Sequence, residues 1–266
     1  MENFFNAIIL GIVEGITEFL PVSSTGHLLI AESLLNSHQS DAFNVIIQIG
    51  PIVAVTLVFW NHIFGLFTGF GIKEKRDEVI KLFVSFLLTG IGGIIITKLG
   101  VQLPETVLPI AIATLVGGVI IIIIEQHAKK RTLTEIISWP VAIAVAMGQL
   151  LAAVFPGTSR SGAAVMAALL LGLARPSAVR FAFLVGIPTM FAAGSLKIKE
   201  SIELGQTAAL LAPEAIVAFT VATATAWLSV VWLLKFVQTR NFVPFAWYRF
   251  ALGVVMIGLL AINVVK

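Results

Sequence analysis

Six long apolar runs constrain the fold of this 266-residue chain more than any other feature. They cover residues 43–61, 82–98, 107–124, 178–196, 209–234 and 243–265. Roughly 20 helical residues cross the ~30 Å hydrocarbon core of a bilayer. Hydrocarbon offers the backbone no hydrogen bonds, so only helices and closed barrels span it. With 58% hydrophobic and 12% charged residues, we expect an all-α polytopic membrane protein with about six full transmembrane helices.

The remaining composition excludes several other classes of protein. The chain has no cysteine, so disulfides, thiolate catalysis and Cys-ligated zinc are excluded. Its net charge of +3 is spread over short loops and forms no basic face, so nucleic acid is not expected as a partner. No basic region precedes the first apolar stretch, and a cleaved signal peptide is therefore not expected.

Two further apolar segments are interrupted by a proline. One covers 4–20, stops at Pro21 and resumes at 27–35; the other covers 139–155, stops at Pro156 and resumes at 162–172. A nine-residue helix rises only about 14 Å, roughly half of the hydrocarbon core. The pattern therefore predicts two re-entrant helix hairpins, 4–35 and 139–172, with their turns inside the membrane.

The two interrupted segments also repeat each other across 135 positions. Aligning the prolines pairs residues of the same kind: Glu14 with Gln149, Ser23 with Thr158 and Ser24 with Ser159. Polar and ionisable groups are costly at membrane depth, so a cluster of them there indicates a functional site.

Lysine and arginine divide unevenly between the two sides that this arrangement creates. Eleven lie in the loops on one side: Lys73, Lys75, Arg76, Lys81, Lys129, Lys130, Arg131, Arg175, Arg180, Lys235 and Arg240. Four lie on the other side: Lys98, Lys197, Lys199 and Lys266. The positive-inside rule makes the first side cytoplasmic and places both termini outside.

Three full spans separate the hairpins, so the hairpins are expected to enter the membrane from opposite faces. This is an inverted-topology repeat, with repeat 1 at about 1–124 and repeat 2 at about 136–266 of a single membrane domain, 1–266. Such a repeat places both turns near the bilayer midplane.

Two carboxylates belong to the first hairpin. Glu14 and Glu18 are four residues apart, so they share one helix face. Two neighbouring carboxylates at membrane depth need a shared proton or a cation. We expect them to bind a divalent cation, Mg²⁺ or Ca²⁺, because both ions prefer oxygen ligands. The alternative is a polar crevice in which one glutamate is protonated.

Hydroxyl residues follow both prolines and begin the next helix. They are Ser23, Ser24 and Thr25 in the first hairpin, and Thr158, Ser159 and Ser161 in the second. Serine is a good N-cap, and free N–H groups at a helix start bind anions. Arg160 adds a guanidinium suited to bidentate phosphate binding. Serines at such places are more often caps than nucleophiles, but their combination with His27 and two glutamates indicates a phosphate or diphosphate site.

A substrate that reaches this depth is expected to carry a lipid tail, which favours a lipid diphosphate and phosphoryl transfer to water. Gln149 either lines this site or forms a helix–helix hydrogen bond. Arg249, in the last span, either pairs with a carboxylate or, by default, reaches an interface by snorkelling.

At these residues the chain resembles the undecaprenyl-diphosphatase family, also called bacitracin-resistance proteins, over essentially its whole length. The first family motif is present as EGITEFLPVSSTGH at 14–27 and the second as PGTSRSGAA at 156–164, and the runs at 43–50 and 242–250 also match. Ala164 stands where the family usually has Thr. This departure puts one hydroxyl contact with phosphate or arginine in doubt, but not the site.

The resemblance implies hydrolysis of undecaprenyl diphosphate to undecaprenyl phosphate and inorganic phosphate, which recycles the lipid carrier of cell-wall synthesis. Bacitracin sequesters that diphosphate, so it acts on the substrate and not on the protein. By position, Glu14 and Glu18 would hold a metal or position water, and Arg160 would bind phosphate. Ser24 and His27 are rival nucleophiles or a nucleophile–base pair, and we expect them to act together.

The same resemblance places the chain among the lipids of the bacterial inner membrane, with its active site open to the outer, periplasmic face. A transporter or flippase of a polyprenyl phosphate is the alternative function. Inverted repeats with interrupted helices are the architecture of many secondary transporters.

Overall fold

The computed structural model describes residues 2–37, 39–101 and 106–265, which contain helices and no strand. In chain order the helices are α1 (Glu2–Thr17), α2 (Ser24–Leu34), α3 (Asp41–Val58), α4 (Trp60–Thr68), α5 (Lys73–Leu99), α6 (Val107–Ala128), α7 (Trp139–Val154), α8 (Arg160–Leu170), α9 (Arg175–Glu203), α10 (Thr207–Leu210), α11 (Pro213–Thr239) and α12 (Val243–Ala261).

Six of these helices are long and apolar enough to cross a membrane, namely α3, α5, α6, α9, α11 and α12. They match the six predicted spans, so the prediction of an all-helical membrane protein is confirmed. The prediction was wrong at several boundaries. α5 begins at Lys73 and α9 extends to Glu203, because lysine, glutamate and arginine favour helix even where they lower hydropathy. The predicted span 43–61 ends earlier, at Val58, and the short helix α4 follows.

Two pairs of shorter helices correspond to the predicted hairpins. α1 and α7 have 16 residues each, and α2 and α8 have 11, so they are about 24 Å and 16 Å long. Both lengths are below the ~30 Å of the hydrocarbon core. The position of these hairpins relative to a bilayer, and with it the inverted topology, stays a prediction.

The turns of the two hairpins are built alike. Ser23 is the N-cap of α2 with φ +74°, and its hydroxyl accepts a hydrogen bond from Gly26 N. Ser159 is the N-cap of α8 with φ +70°, and its hydroxyl accepts from Gly162 N. Ser23 therefore corresponds to Ser159. The predicted alignment, which paired Ser24 with Ser159, is wrong by one residue beyond the prolines.

The two turns touch each other. The Ser161 hydroxyl donates to Glu18 O over 3.1 Å and lies 3.4 Å from Leu20 O. The Ser159 hydroxyl also donates to Leu20 O, over 3.4 Å. These bonds cross from the start of α8 to the end of the first apolar segment, so residues 139 positions apart in the chain share one site.

The helices of the bundle pack in pairs, each of which joins a helix from the first half of the chain to a helix from the second half. α1 packs on α11 and α7 packs on α5, while α3 packs on α9 and α6 packs on α12. The contact of α1 with α11 is close, because a Cβ atom at Gly15 would lie only 2.4 Å from Ala222 O. Small residues permit this kind of approach between membrane helices. Each of these contacts joins one half of the chain to the other, and the internal repeat itself stays a prediction.

A buried carboxylate joins three helices at the end of the bundle predicted to be cytoplasmic. Glu125 of α6 is fully buried and accepts hydrogen bonds from the Arg175 guanidinium of α9 and from Phe242 N, at the start of α12. Since an unpaired buried charge is costly, these contacts fix the ends of α6, α9 and α12 relative to one another.

Candidate active site

A polar cavity of about 710 Å³ lies beside the two hairpin turns. Five of the predicted site residues line it, two or more from each hairpin: Glu18, Ser24, Thr25, Ser159 and Arg160. Asp41, Asn44 and Gln48 of α3 and Lys197 of α9 form much of the remaining polar wall. The structure therefore brings together the glutamate, hydroxyl and arginine side chains that the sequence separates by more than 130 positions.

The closest polar contact in this cavity joins Ser24 and Glu18. The Ser24 hydroxyl donates a hydrogen bond of 2.6 Å to Glu18 Oε2. Ser24 is the first residue of α2, directly after the turn, whereas Glu18 follows the last residue of α1. A carboxylate in this position is able to take the proton of the hydroxyl, which activates its oxygen as a nucleophile.

Both short helices begin at this cavity. Ser24 is the first residue of α2 and Arg160 is the first residue of α8, and both line the cavity wall. The first N–H groups of a helix lack partners within the helix and carry partial positive charge. Two helix starts and one guanidinium therefore favour an anionic group at the same place.

Glu14 of α1 does not line the cavity and is fully buried. Neither oxygen of its carboxylate has a hydrogen-bond partner within the described part of the chain. The negative charge of Glu18 disfavours an ionised Glu14 carboxylate, and the positive charge of Arg160 favours it. A buried carboxylate without donors fits either a bound cation or a proton.

The oxygen ligands that Glu14 and Glu18 offer also fit the usual coordination of Mg²⁺. The described residues contain no group of three or more histidine, aspartate and glutamate side chains arranged to hold a metal. Mg²⁺ is usually held by one or two carboxylates together with the phosphates of the substrate and water. Glu14 and Glu18 would provide this smaller set.

A second, very small cavity of about 10 Å³ lies behind Arg160. Gln149 lines it and accepts a hydrogen bond of 2.9 Å from the Thr189 hydroxyl of α9. Ala164 also lines it, at the position where a threonine was expected. The rings of Phe19 and Phe183, which form another part of the wall, lie 4.8 Å apart.

No hydrogen bond joins His27 to Ser24 in the described part of the chain, and their joint action stays a prediction. The His27 Nδ1 atom lies 2.7 Å from Ser23 O, and Nε2 lies 2.7 Å from the Tyr248 hydroxyl. A carbonyl only accepts hydrogen bonds, so Nδ1 carries a proton. The two rings are also nearly parallel, at 7° with centroids 5.6 Å apart. Both nitrogens of His27 are therefore engaged, and Ser24 pairs with Glu18 instead.

Three other predicted residues form structural hydrogen bonds at the turns. Ser23 caps α2, as described above, and the Ser161 hydroxyl binds the backbone of the first hairpin. Thr158 contributes its carbonyl, which accepts a hydrogen bond of 3.1 Å from Arg249.

The sequence did not indicate the contact of Tyr248 with His27, and both roles that it suggested for Arg249 are wrong. Arg249 neither snorkels nor pairs with a carboxylate in the described part of the chain: it is 1% exposed, and its five hydrogen bonds there go to backbone carbonyls. An arginine in the middle of an apolar span, opposite the pair Gly117-Gly118 of another span, is the signal that the sequence did contain.

A bundle with six membrane-length helices, and with two helix turns that meet beside a polar cavity suited to an anion, defines a multi-pass membrane protein with a binding site between interrupted helices. The chain belongs to the family described as bacitracin resistance protein BacA, whose model matches residues 7–255.

Curated relatives agree with this assignment. The chain is similar to the undecaprenyl-diphosphatase of Rhizobium etli, with 47% identity over 264 residues that cover 99% of each chain. It is also similar to the undecaprenyl-diphosphatase of Xylella fastidiosa, with 49% identity over 258 residues that cover 97% of this chain and 98% of the relative. The family predicted from the two motifs is confirmed.

Proposed function

We propose that this protein hydrolyses undecaprenyl diphosphate in the membrane to undecaprenyl phosphate and inorganic phosphate. The reaction recycles the lipid carrier of cell-wall synthesis and thereby confers resistance to bacitracin. The observation that carries the proposal is the hydrogen bond between Ser24 and Glu18 beside Arg160, in a chain that aligns over 99% of its length with a relative named for this activity.

Substrate binding rests on the positive groups at the two turns. Arg160 and the first N–H groups of α2 and α8 hold the terminal phosphate, with Thr25 and Ser159 beside them on the cavity wall. A guanidinium binds phosphate through two parallel hydrogen bonds, which fixes its orientation as well as its charge. The lipid tail leaves the site toward the surrounding membrane.

The chemical step transfers the terminal phosphoryl group to an oxygen nucleophile. The Ser24 oxygen attacks the terminal phosphorus while its proton passes to Glu18, and the bond from phosphorus to the bridging oxygen breaks. The bridging oxygen keeps the electron pair, takes the proton back from Glu18 and leaves with undecaprenyl phosphate. Water then attacks the phosphorus of the phosphoserine and gives a proton to Glu18, which passes it to the Ser24 oxygen as the bond from that oxygen to phosphorus breaks. This releases inorganic phosphate and regenerates the Ser24 hydroxyl.

His27 is the rival nucleophile. The engagement of both its ring nitrogens supports Ser24 as the nucleophile and supports, for His27, a role in holding Ser23 and the start of α2.

A divalent cation, Mg²⁺ or Ca²⁺, is held by Glu14 and Glu18. When bound, it supplies positive charge that stabilises the phosphoryl oxygens during transfer. The two unpaired oxygens of the buried Glu14 carboxylate support this proposal.

The cavity opens to the outer face of the bacterial inner membrane. Asp41, at the start of α3, and Lys197, near the end of α9, lie in its wall. These helix ends belong to the side with four of the counted lysine and arginine residues, whereas the opposite side has eleven. The positive-inside rule makes this side periplasmic.

The activity is tested with purified protein in detergent, undecaprenyl diphosphate and added Mg²⁺ or Ca²⁺, by measuring released inorganic phosphate. We expect Glu18→Gln and Arg160→Ala each to lower kcat/KM by about a hundredfold or more, since they remove the base and the phosphate ligand. The exposed residues Glu203 and Arg240 provide the matched controls Glu203→Gln and Arg240→Ala, which should retain activity. Full activity of both site variants would show that the reaction occurs elsewhere.

The cation is tested with Glu14→Gln. This change keeps the size of the side chain but removes the charge, so we expect it to raise the Mg²⁺ concentration needed for half-maximal activity about tenfold or more. Binding of Mn²⁺, followed by its paramagnetic resonance signal, should weaken in parallel. Unchanged Mn²⁺ binding in Glu14→Gln, with Glu203→Gln as the control, would exclude Glu14 as a ligand.

The nucleophile is identified by rapid-quench trapping of the phosphorylated protein. We expect an acid-stable phosphoserine at Ser24, because Ser24 is the hydroxyl that contacts Glu18. The modified residue is located by mass spectrometry of peptides from acid-quenched and base-quenched samples. An acid-labile phosphoramidate on His27 would rule out Ser24 as the attacking group.

The accessible face is tested by labelling single cysteines in intact cells, since the chain has none of its own. A membrane-impermeant thiol reagent should label Ala153→Cys, whose position lines the cavity. It should not label Gly71→Cys, in a loop predicted to be cytoplasmic, until the cells are opened. Labelling of Gly71→Cys alone in intact cells would reverse the orientation.

A further inference from the structure

The Arg249 guanidinium of α12 donates five hydrogen bonds to backbone carbonyls of α6 and of the two hairpin turns. Its Nε donates to Thr114 O over 3.0 Å and one Nη2 bond reaches Ala113 O over 3.1 Å, both in α6. Nη1 donates to Pro21 O over 3.3 Å and to Thr158 O over 3.1 Å. The second Nη2 bond reaches Gly157 O over 3.1 Å.

Three of these carbonyls lie where the helices are interrupted. Pro21 belongs to the turn of the first hairpin, and Gly157 and Thr158 belong to the turn of the second. Backbone carbonyls at an interruption have no helical partner, and at membrane depth an unsatisfied carbonyl costs several kcal/mol. A single guanidinium therefore provides hydrogen bonds to backbone carbonyls at both interruptions and also links the two turns.

The surroundings of Arg249 are shaped for a guanidinium. A Cβ atom at Gly117 would lie 2.2 Å from Nη2 and 2.6 Å from Cζ of Arg249, so only glycine leaves room for the planar group. Lysine has three donors on one nitrogen and does not reproduce this fork of separate nitrogens. With the side chain 1% exposed and its nitrogens bound to five carbonyls, substrate has no access to it.

We propose that Arg249 is a positioning residue that sets the separation between the two halves of the active site. Pro21 lies three residues from both Glu18 and Ser24, and Thr158 lies two residues before Arg160. By holding the two carbonyls on one nitrogen, Arg249 holds the nucleophile at a fixed place relative to the phosphate ligand. The effect on kcat rests on the proposed function, whereas the effect on the separation of the turns does not.

The separation of the turns is tested with a disulfide between them. A Cβ atom at Gly162 would lie 3.0 Å from Cβ of Pro21, near the roughly 3.5–4.5 Å found in disulfides. In the full chain carrying Pro21→Cys and Gly162→Cys, mild oxidation should join the turns, and peptide mass spectrometry measures the rate. Adding Arg249→Met should slow the joining about tenfold, because bonds from a buried charged group are lost.

Turnover provides the second measurement, taken well below the melting temperature of each variant. Arg249→Met should lower kcat about a hundredfold, since small displacements of reacting groups cost that much. Oxidation of the cysteine pair in the Arg249→Met protein should restore most of this loss. A role in fold stability alone would change the melting temperature and leave kcat of the folded protein unaltered.

Gly117→Ala provides the same test without removing the arginine, and is used where Arg249→Met does not fold. Its matched control is Gly93→Ala, because a Cβ atom at Gly93 meets nothing within 4 Å. Gly117→Ala should slow the joining and lower kcat, and Gly93→Ala should do neither.

Equal joining rates with Arg249 or Met at this position would overturn the proposal, as would a joined Arg249→Met protein that stays inactive. Absence of phosphate release from the unmodified chain would instead contradict the proposed function, and the joining rate would still test Arg249.

Discussion

Interrupted helices leave backbone carbonyls without partners, and in a membrane protein those carbonyls have to be satisfied by the protein itself. Here two interruptions lie close together, and the Arg249 guanidinium donates hydrogen bonds to carbonyls of both, namely Pro21 O, Gly157 O and Thr158 O. Serine hydroxyls from the second turn satisfy further carbonyls of the first. The site exists because these bonds allow irregular backbone where a continuous helix would otherwise be required.

Two helix pairs with similar turns, α1 with α2 and α7 with α8, supply the scaffold of the site, and the two copies differ in chemistry. The corresponding first residues of α2 and α8 are Ser24 and Arg160, one a nucleophile and the other a phosphate ligand in the proposed reaction. Glu14 in the first copy corresponds to Gln149 in the second, which bonds to Thr189. A neutral amide there places the acidic groups in one hairpin only. Two similar backbones thus present complementary charges to one cavity.

The sequence predicted the six membrane-length helices, the two pairs of shorter helices and the meeting of Glu18, Ser24 and Arg160, because hydropathy, proline and clustered polar residues leave strong patterns. It did not predict the role of Arg249, since the acceptors are backbone carbonyls that any residue carries. The register of the turns was wrong by one because Gly157, with φ +89°, lengthens the second turn. The family resemblance paired His27 with Ser24, but the ring nitrogens of His27 bond to Ser23 O and to the hydroxyl of Tyr248, which lies 221 positions away.

The packing of Phe19, Phe183 and Phe59 next to the site bears on whether ions can leak through the protein. A cavity of 710 Å³ reaches Glu18 and Arg160 from one side, so the protein that remains beyond them is the barrier to ions. Phe19 directly follows Glu18 in the chain, and its ring packs on the ring of Phe183. The ring of Phe183 also lies edge-on to that of Phe59, with 6.5 Å between the ring centroids. Apolar side chains that exclude water prevent conduction. If the proposed reaction takes place at membrane depth, this cluster of three rings would be the apolar barrier that keeps a water-accessible site from leaking protons across the bilayer.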